Sequence, residues 1–161
     1  GASYKGFDFS ALIGSGWGHK LYNGNRYFFE AMSSGSNFLS STLDAWTENN
    51  RNTDVPRAVL QDPNGNSRES TRFLESGDFI RLRQLQIGYS LPKNLLRAIH
   101  SENLRFYISG QNIYTWTKYK GIDPEFAPSG MNAKPSVLNT GVDSYIFPFT
   151  KSYSIGVQYT F

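Results

Sequence analysis

Several clusters in this sequence place residues at spacings used by ion-binding or nucleotide-binding loops, and each lacks a part that the chemistry requires. Gly14-Ser-Gly-Trp-Gly18 has the glycine density of a phosphate cradle. A cradle of that kind opens a helix and carries Lys followed by Ser or Thr, whose ammonium and hydroxyl engage the phosphates and their metal. Here Lys20 is followed by Leu21, and the glycines close a stretch of strand-like alternation. Asp62, Asn64 and Asn66 stand at the first, third and fifth positions of a calcium loop. The sixth position, where the loop needs Gly, is Ser67, and the twelfth, where it needs a bidentate Glu, is Phe73. A polar surface turn is the expected structure there. His19 and His100 lie far apart with no carboxylate pattern beside either, and cysteine is absent, so no thiolate site or disulfide can form. No Ser-His-Asp or paired-carboxylate signature is visible, although triads assemble in space rather than in sequence. The expectation is a chain with no catalytic residues, no metal ligands and no cofactor, hence not an enzyme.

Composition narrows the class. Charged residues make up 18% of the 161 positions, against roughly 25% in an ordinary soluble domain. Aromatic residues reach 16%, with ten Tyr and twelve Phe against two Met. Flat rings favour pleated surfaces, so strands are expected. No run approaches the ~18 consecutive apolar residues of a membrane-crossing helix. A membrane β-barrel stays compatible, because its lipid-facing residues alternate with polar ones. The net charge of +3 comes from 16 basic and 13 acidic residues without a basic run or helical face, which gives nucleic acid no footprint. The chain opens Gly-Ala-Ser-Tyr-Lys-Gly, without initiator Met, basic region or apolar leader. It is therefore expected to be a fragment of a longer protein.

Four strands are predicted from alternation. The first runs from about Tyr4 to Trp17, with Phe7, Phe9, Ala11 and Ile13 on one face. In the second, Leu85, Ile87, Tyr89 and Leu91 alternate with polar residues, and the phase slips near Arg83, as a β-bulge would require. The third runs from Leu104 to Trp116. The fourth begins at Phe147 and continues through Tyr153, Ile155, Val157 and Tyr159 to Phe161. The connection between the second and third is short; those over residues 18–77 and 120–145 are long. A 3.6-residue pattern over Asn37–Trp46 predicts a helix capped by Ser36 in the first long connection. Aromatic residues fall near both strand ends: Trp17, Tyr114, Trp116 and Phe149 at one, Tyr89, Phe106, Tyr159 and Phe161 at the other. Amphipathic rings at two membrane interfaces would take this arrangement, and so would the core of a two-layer sandwich. Both readings remain open at this level.

Five segments resemble, in order, the C-terminal end of the SusC/RagA-type TonB-dependent transporters of Bacteroidota. They are YKGFDFSALIGSGWGHKLYNGNRYF from Tyr4, STLDAWTENNRNTDVPRA from Ser41, FLESGDFIRLRQLQIGYSLPKNLL from Phe73, LRFYISGQNIYTWTKYKGIDPE from Leu104 and YSIGVQYTF from Tyr153. The resemblance is weakest from Phe126 to Val142. It implies an all-β, antiparallel transmembrane barrel of about 22 strands, of which residues 1–161 would supply the last four, with long extracellular loops. It implies TonB-energised import of glycan or peptide fragments across the Gram-negative outer membrane, this segment forming wall and loops. The implied partners are a SusD-like surface lipoprotein, the TonB complex through an N-terminal region, the cargo and outer-membrane lipid. The closing residues are similar to a barrel-assembly signal at Ser154, Gly156, Tyr159 and Phe161. Tyr22, Tyr27, Trp46 and Tyr119 are candidate contacts to cargo or lid. Two other architectures fit the strands: an oligomeric membrane anchor with four strands per chain, and a secreted carbohydrate-binding sandwich.

Overall fold

The computed structural model describes residues 1–33, 37–98, 100–125, 141–144 and 148–161. In chain order its elements are β1 (Ala2–Tyr4), β2 (Phe7–Gly16), β3 (Lys20–Asn23), α1 (Gly24–Phe29), β4 (Leu74–Ser76), β5 (Phe79–Ser90), α2 (Lys93–Ala98), β6 (Asn103–Thr117), β7 (Val142–Asp143) and β8 (Ser152–Thr160). Single 3-10 turns occupy Ser40–Asp44 and Thr71–Phe73. Two compact units result: residues Gly1–Trp17, Asp78–Thr117 and Pro148–Phe161 form the first, Gly18–Gly77 and Lys118–Phe147 the second.

The first unit is a five-stranded antiparallel sheet in the order β1-β2-β5-β6-β8. Register places like with like across it. One face carries the rows Phe7–Tyr89–Phe106–Val157 and Phe9–Ile87–Ile108–Ile155. The other carries Asp8–Gly88–Tyr107–Gly156 and Ser10–Gln86–Ser109–Ser154. On that polar face Arg105 grips Asp8 through two hydrogen bonds, Nε to Oδ1 at 2.9 Å and Nη2 to Oδ2 at 2.5 Å. The phase slip expected at Arg83 is a bulge: both ladders shift between Leu82 and Gln84. The extra residue returns Leu82 and Ile80 to the apolar side, where they lie opposite Tyr114 and Trp116.

The first unit leaves its apolar face uncovered. Ile155 is 86% exposed and Ile108 53%, although both sit mid-row. Gly110, between Leu85 and Tyr153 in register, opens a 360 Å³ depression in this face. Buried apolar residues are few here, Phe79 and Leu96 among them.

The second unit holds a small mixed sheet, β4-β3-β7, with β3 antiparallel to β4 and parallel to β7. The long connection after Trp17 therefore carries structure of its own. Helix α1 leaves β3 directly. Asn23 caps it, its Oδ1 accepting from Arg26 N at 3.0 Å. Gly24 opens the helix against β7, where a Cβ would meet the Asp143 carbonyl at 2.7 Å.

Several expectations are corrected by this architecture. The class is mixed α/β rather than all-β. The strands form two open sheets, not part of a closed transmembrane barrel: β1 and β8 end the order of the larger sheet and do not pair with each other. Five strands leave two edges because full closure takes about eight. The outer-membrane, multi-pass location rested on that closure and is withdrawn with it, as are the wall-and-loop role and the barrel and transmembrane descriptors. Among the described residues no helix is long and apolar enough to cross a membrane, a statement about helices alone. The continuous first strand is also corrected. Lys5 and Gly6 take positive φ, 46° and 89°, and turn the chain between Tyr4 and Phe7. Two consecutive left-handed residues match the right-handed twist of the flanking strands. The helix expected over Asn37–Trp46 is a single 3-10 turn preceded by Leu39; its expected cap Ser36, and Phe147 at the start of the last strand, lie outside the described residues. α1 and α2 were not anticipated.

Replacing Gly6 tests the hairpin. An Ala there must hold φ near +89° with its Cβ 2.8 Å from the Ser90 carbonyl oxygen. Gly6→Ala is expected to cost about 1–2 kcal/mol, read as a lower urea midpoint at unchanged slope. An unmoved midpoint would show that the turn adapts freely.

Candidate functional site: a polar pocket on an ion network

The second unit is organised around a buried carboxylate. Glu30, 2% exposed, follows α1 directly. Its two oxygens receive four donors: Arg26 Nε at 2.9 Å and Nη2 at 3.0 Å, Arg72 Nη2 at 2.8 Å and Ser41 Oγ at 2.7 Å. Arg26 spends its remaining direction on Glu75, Nη1 to Oε1 at 2.5 Å. Glu75 also accepts the Lys120 backbone N–H at 2.8 Å. Residues from one helix, two turns, one strand and a distant loop thus meet on two carboxylates.

Electrostatics follow from the geometry. Burial alone would push the Glu30 carboxyl up; the hydrogen bonds from Arg26 and Ser41 and the charges of Arg26 and Arg72 outweigh it and hold the group below the ordinary carboxylate value. Burial likewise opposes the charge on Arg26, but Glu30 and Glu75 raise it above the usual guanidinium range. Arg72 is lowered, by burial first and with the charge of Arg26 adding to it. Both guanidiniums pack on the wholly buried Phe73 ring, at 6.0 and 5.0 Å.

A second cluster lies at the β7 side. Fully buried Asp143 accepts from the Tyr119 hydroxyl at 2.5 Å and from Asn25 Nδ2 at 3.2 Å. Burial, then this bond and the Asp143 charge, push the Tyr119 phenol well up.

Beside the ion network opens a polar pocket of 620 Å³, lined by Arg26, Ser41, Asp44, Asp54, Arg72 and Lys120 among others. Asp44 is anchored by Asn50 Nδ2 at 2.8 Å and Thr53 Oγ at 3.2 Å, which ties the 44–53 loop to itself. A smaller hollow of 260 Å³ borders Trp46, Glu48 and Arg57.

The structure distributes the sequence-predicted residues unevenly. Tyr22 and Tyr27 come together, their rings 6.3 Å apart and both edge-on to Phe73. Tyr119 is 6% exposed and engaged with Asp143, so its ring anchors the unit. Trp46 stands apart at the smaller hollow, with its backbone N–H donating to the Val55 carbonyl at 2.9 Å. Ser154, Gly156 and Tyr159 lie along β8 at the sheet edge, and Phe161 follows it with its ring 6.2 Å from that of Tyr159. The Asp62 loop closes on its own backbone. Asp62 accepts from Asn66 N and Ser67 N, both at 2.8 Å, and from the Ser67 hydroxyl. Among the described residues no group of three or more His, Cys, Asp or Glu side chains could hold a metal ion. Arg26, Glu30, Arg72, Glu75, Asp54 and Lys120 were not foreseen. Only the Arg26–Glu30 pair, four residues apart in a helical segment, has a local signal.

Two substitutions test the network. Glu30→Gln removes the charge that two guanidiniums share and is expected to cost on the order of 2 kcal/mol at neutral pH, after allowing for solvent at the arginines. The folded carboxyl lies below its ordinary value of 4.5. Its stabilisation is therefore whole above about pH 4.5 and is lost as the pH falls through the folded value; the variant's unfolding should lose that part of the acid dependence. Tyr119→Phe leaves Asp143 one donor short and should cost about 1–2 kcal/mol. Wild-type melting curves from both variants would break the account.

Comparison with protein-family models gave no match. The chain is 32% identical over 158 residues to TonB-dependent receptor P3 of Formosa agariphila, covering 98% of this chain and 15% of that receptor. It is 25% identical over 162 residues to TonB-dependent receptor SusC of Bacteroides thetaiotaomicron, covering 98% and 14%. Among solved structures, the RagAB peptide importer in its closed-closed state superposes with a TM-score of 0.77 at 33% identity, covering 99% of this chain and 16% of that one. The open-open state gives 0.75 at 32% identity. The chain thus spans about 15% of the length of the curated relatives it matches. These relatives are receptors and importers rather than catalysts, and this chain is not an enzyme. The link to TonB-dependent transport stands, while the role once expected within it, as barrel wall, does not follow from two open sheets. Over nearly its whole length the chain is homologous to a segment of the TonB-dependent receptors of the RagA kind.

Proposed function

We propose that this chain is a non-enzymatic recognition part of a TonB-dependent receptor, in which the second unit presents its polar pocket to peptide or glycan fragments. The observation that carries the reading is the match to the RagAB peptide importer over 99% of the chain at 33% identity. The pocket supplies what recognition needs: a volume within the roughly 300–1,000 Å³ of small-ligand sites, hydroxyl and charged groups of both signs, and a rigid base in the ion network. Tyr22, Tyr27, Trp46 and Tyr119 serve it differently in this proposal. Trp46 lines the separate, smaller hollow, and the three tyrosines hold the unit in shape. A SusD-like lipoprotein and the TonB complex are the partners proposed for the whole receptor. The unpaired edge of β8 is proposed to use Ser154, Gly156, Tyr159 and Phe161 for strand addition, because an exposed edge offers a ladder of free backbone groups.

Binding to the full chain tests the main claim. Isotope-labelled protein titrated with a defined mixture of tri- to pentapeptides, and separately with maltooligosaccharides, should show chemical-shift changes at Ser41, Thr53 and Arg72 for at least one class. Dissociation constants of about 0.1–1 mM would match a shallow polar site. Shifts absent from these residues with both classes would refute the reading.

A further inference from the structure

We propose that the Asn64–Gly65 dipeptide is a self-modification site, at which Asn64 is converted through a cyclic imide into aspartate and isoaspartate. The chain holds two Asn-Gly pairs, and the structure treats them oppositely. Asn23 is wholly buried; its Oδ1 accepts from Arg26 N at 3.0 Å and its Nδ2 donates to Glu75 at 3.4 Å. Gly24 is the first residue of α1, so the helix fixes its nitrogen. A side chain tied through both of its polar atoms cannot swing onto that nitrogen. Asn64 is exposed, and its side chain takes no hydrogen bond among the described residues. The nearby Asn66 is followed by Ser67, whose Cβ shields the nitrogen and whose N–H is held on Asp62 Oδ2 at 2.8 Å.

The chemistry needs only water. A base removes the Gly65 N–H proton, and the nitrogen attacks the side-chain carbonyl carbon of Asn64. A new C–N bond closes the imide ring while the bond to Nδ2 breaks, and the base returns the proton to the departing ammonia. Water then opens the ring at one carbonyl or the other. The products are aspartate and an isoaspartate whose backbone runs through the side chain; nothing is oxidised or reduced. Access is open, because no atom lies within 4 Å of where a Gly65 Cβ would stand. One bond opposes the attack: Gly65 N donates to the Asp62 carbonyl at 2.9 Å. That turn is lightly held. Gln61 and Asp62 carry φ of 63° and 44°, a region that disfavours side chains, and exposed loops open at little cost in free energy. Isoaspartate, once formed, adds a methylene to the backbone and moves the Gly65 nitrogen off that carbonyl. The new carboxylate also stands next but one to Asp62, which accepts from Asn66 N, Ser67 N and the Ser67 hydroxyl. Modification therefore unties residues 62–67 and lowers the net charge of +3 by one.

Peptide mapping by mass spectrometry of the full chain, aged in mildly alkaline buffer, is the test. The mass gain of an amide-to-acid exchange should appear at Asn64 as two chromatographically separate products, with Asn23 and Asn66 intact. An isoaspartyl methyltransferase should label one of the two. Gly65→Ala is expected to slow the conversion at least about tenfold, a barrier about 1.4 kcal/mol higher. Asp62→Ala, which removes the bonds to Asn66 and Ser67, should speed it about threefold or more. Asn64→Gln should abolish the acidic charge variant that ageing produces, and an unchanged melting temperature checks that this exposed substitution folds. An intact Asn64, under conditions that fully convert a free peptide spanning residues 60–68, would overturn the proposal. So would conversion at Asn23 or Asn66 ahead of Asn64, or one rate shared by the wild type, Gly65→Ala and Asp62→Ala.

Discussion

The second unit depends on the neutralisation of Glu30. A carboxylate 2% exposed is stable only when its charge and lone pairs are met, and here four donors from three separate stretches meet them. Each partner has other duties. Arg26 also closes α1, because the helix ends with Glu30 N donating to the Arg26 carbonyl at 2.8 Å. Arg72 belongs to the turn that delivers Phe73, the apolar centre against which Tyr22 and Tyr27 pack. Ser41 fixes the start of the loop that carries Asp44 and Asp54. A helix of six residues would not persist alone. Removing the charge from Glu30 would therefore loosen a helix, a turn and a loop together.

The first unit is held by a different rule. Over most of its length its register sets apolar residues opposite apolar ones, with exceptions such as Leu12 opposite Gln84 and Ser15 opposite Ile80, and a slip of a single residue would reverse every side chain. The bulge at Arg83 is the place where that rule is kept by breaking the ladder. Without the extra residue Ile80 and Leu82 would fall on the polar face with Asp8 and Arg105. The sheet therefore presents a largely apolar surface from the Phe7 row to the Trp116 row, interrupted at Ser15, far larger than isolated surface hydrophobes would make.

This contrast explains what the sequence could reveal. Period-two alternation is local, so β2, β5, β6 and β8 were legible from Phe7, Ile87, Ile108 and Ile155, and so was the phase slip at Arg83. The Lys5-Gly6 turn was missed although Tyr4 is out of phase with Phe7, Phe9 and Ala11, because one out-of-phase residue at a strand start is a weak signal. The 3.6-residue spacing of Leu39, Leu43 and Trp46 produced only a 3-10 turn; Leu43 is 88% exposed, so no apolar stripe is buried to sustain a longer helix. The aromatic tyrosines drew attention as contact residues on type alone, whereas Tyr119 is committed to Asp143, 24 residues away. The pocket was illegible for the same reason. Glu30 meets Arg72 across 42 positions and Arg26 meets Glu75 across 49, and no spacing rule spans such gaps. The barrel expectation came from family resemblance and alternation, neither of which says whether these strands close.

An ion network is a poor choice for stability alone, since well-packed apolar side chains of the same volume often hold a core as firmly or better. Its advantage lies in direction. Apolar contacts tolerate sliding, but a bidentate guanidinium–carboxylate pair accepts one geometry, and Glu30 and Glu75 impose that geometry on Arg26, Arg72 and the Lys120 backbone at once. The groups at the base of the pocket are therefore placed before a ligand arrives. A loop segment such as 44–54 would otherwise lose conformational freedom on binding, at a cost of about 0.5–1.5 kcal/mol for each side chain immobilised. Asp44 limits that loss by fastening Asn50 and Thr53, so the segment reaches Asp54 already turned. The same tether fixes the path of the segment up to Asp54, whose charge favours the charged form of the Arg72 guanidinium.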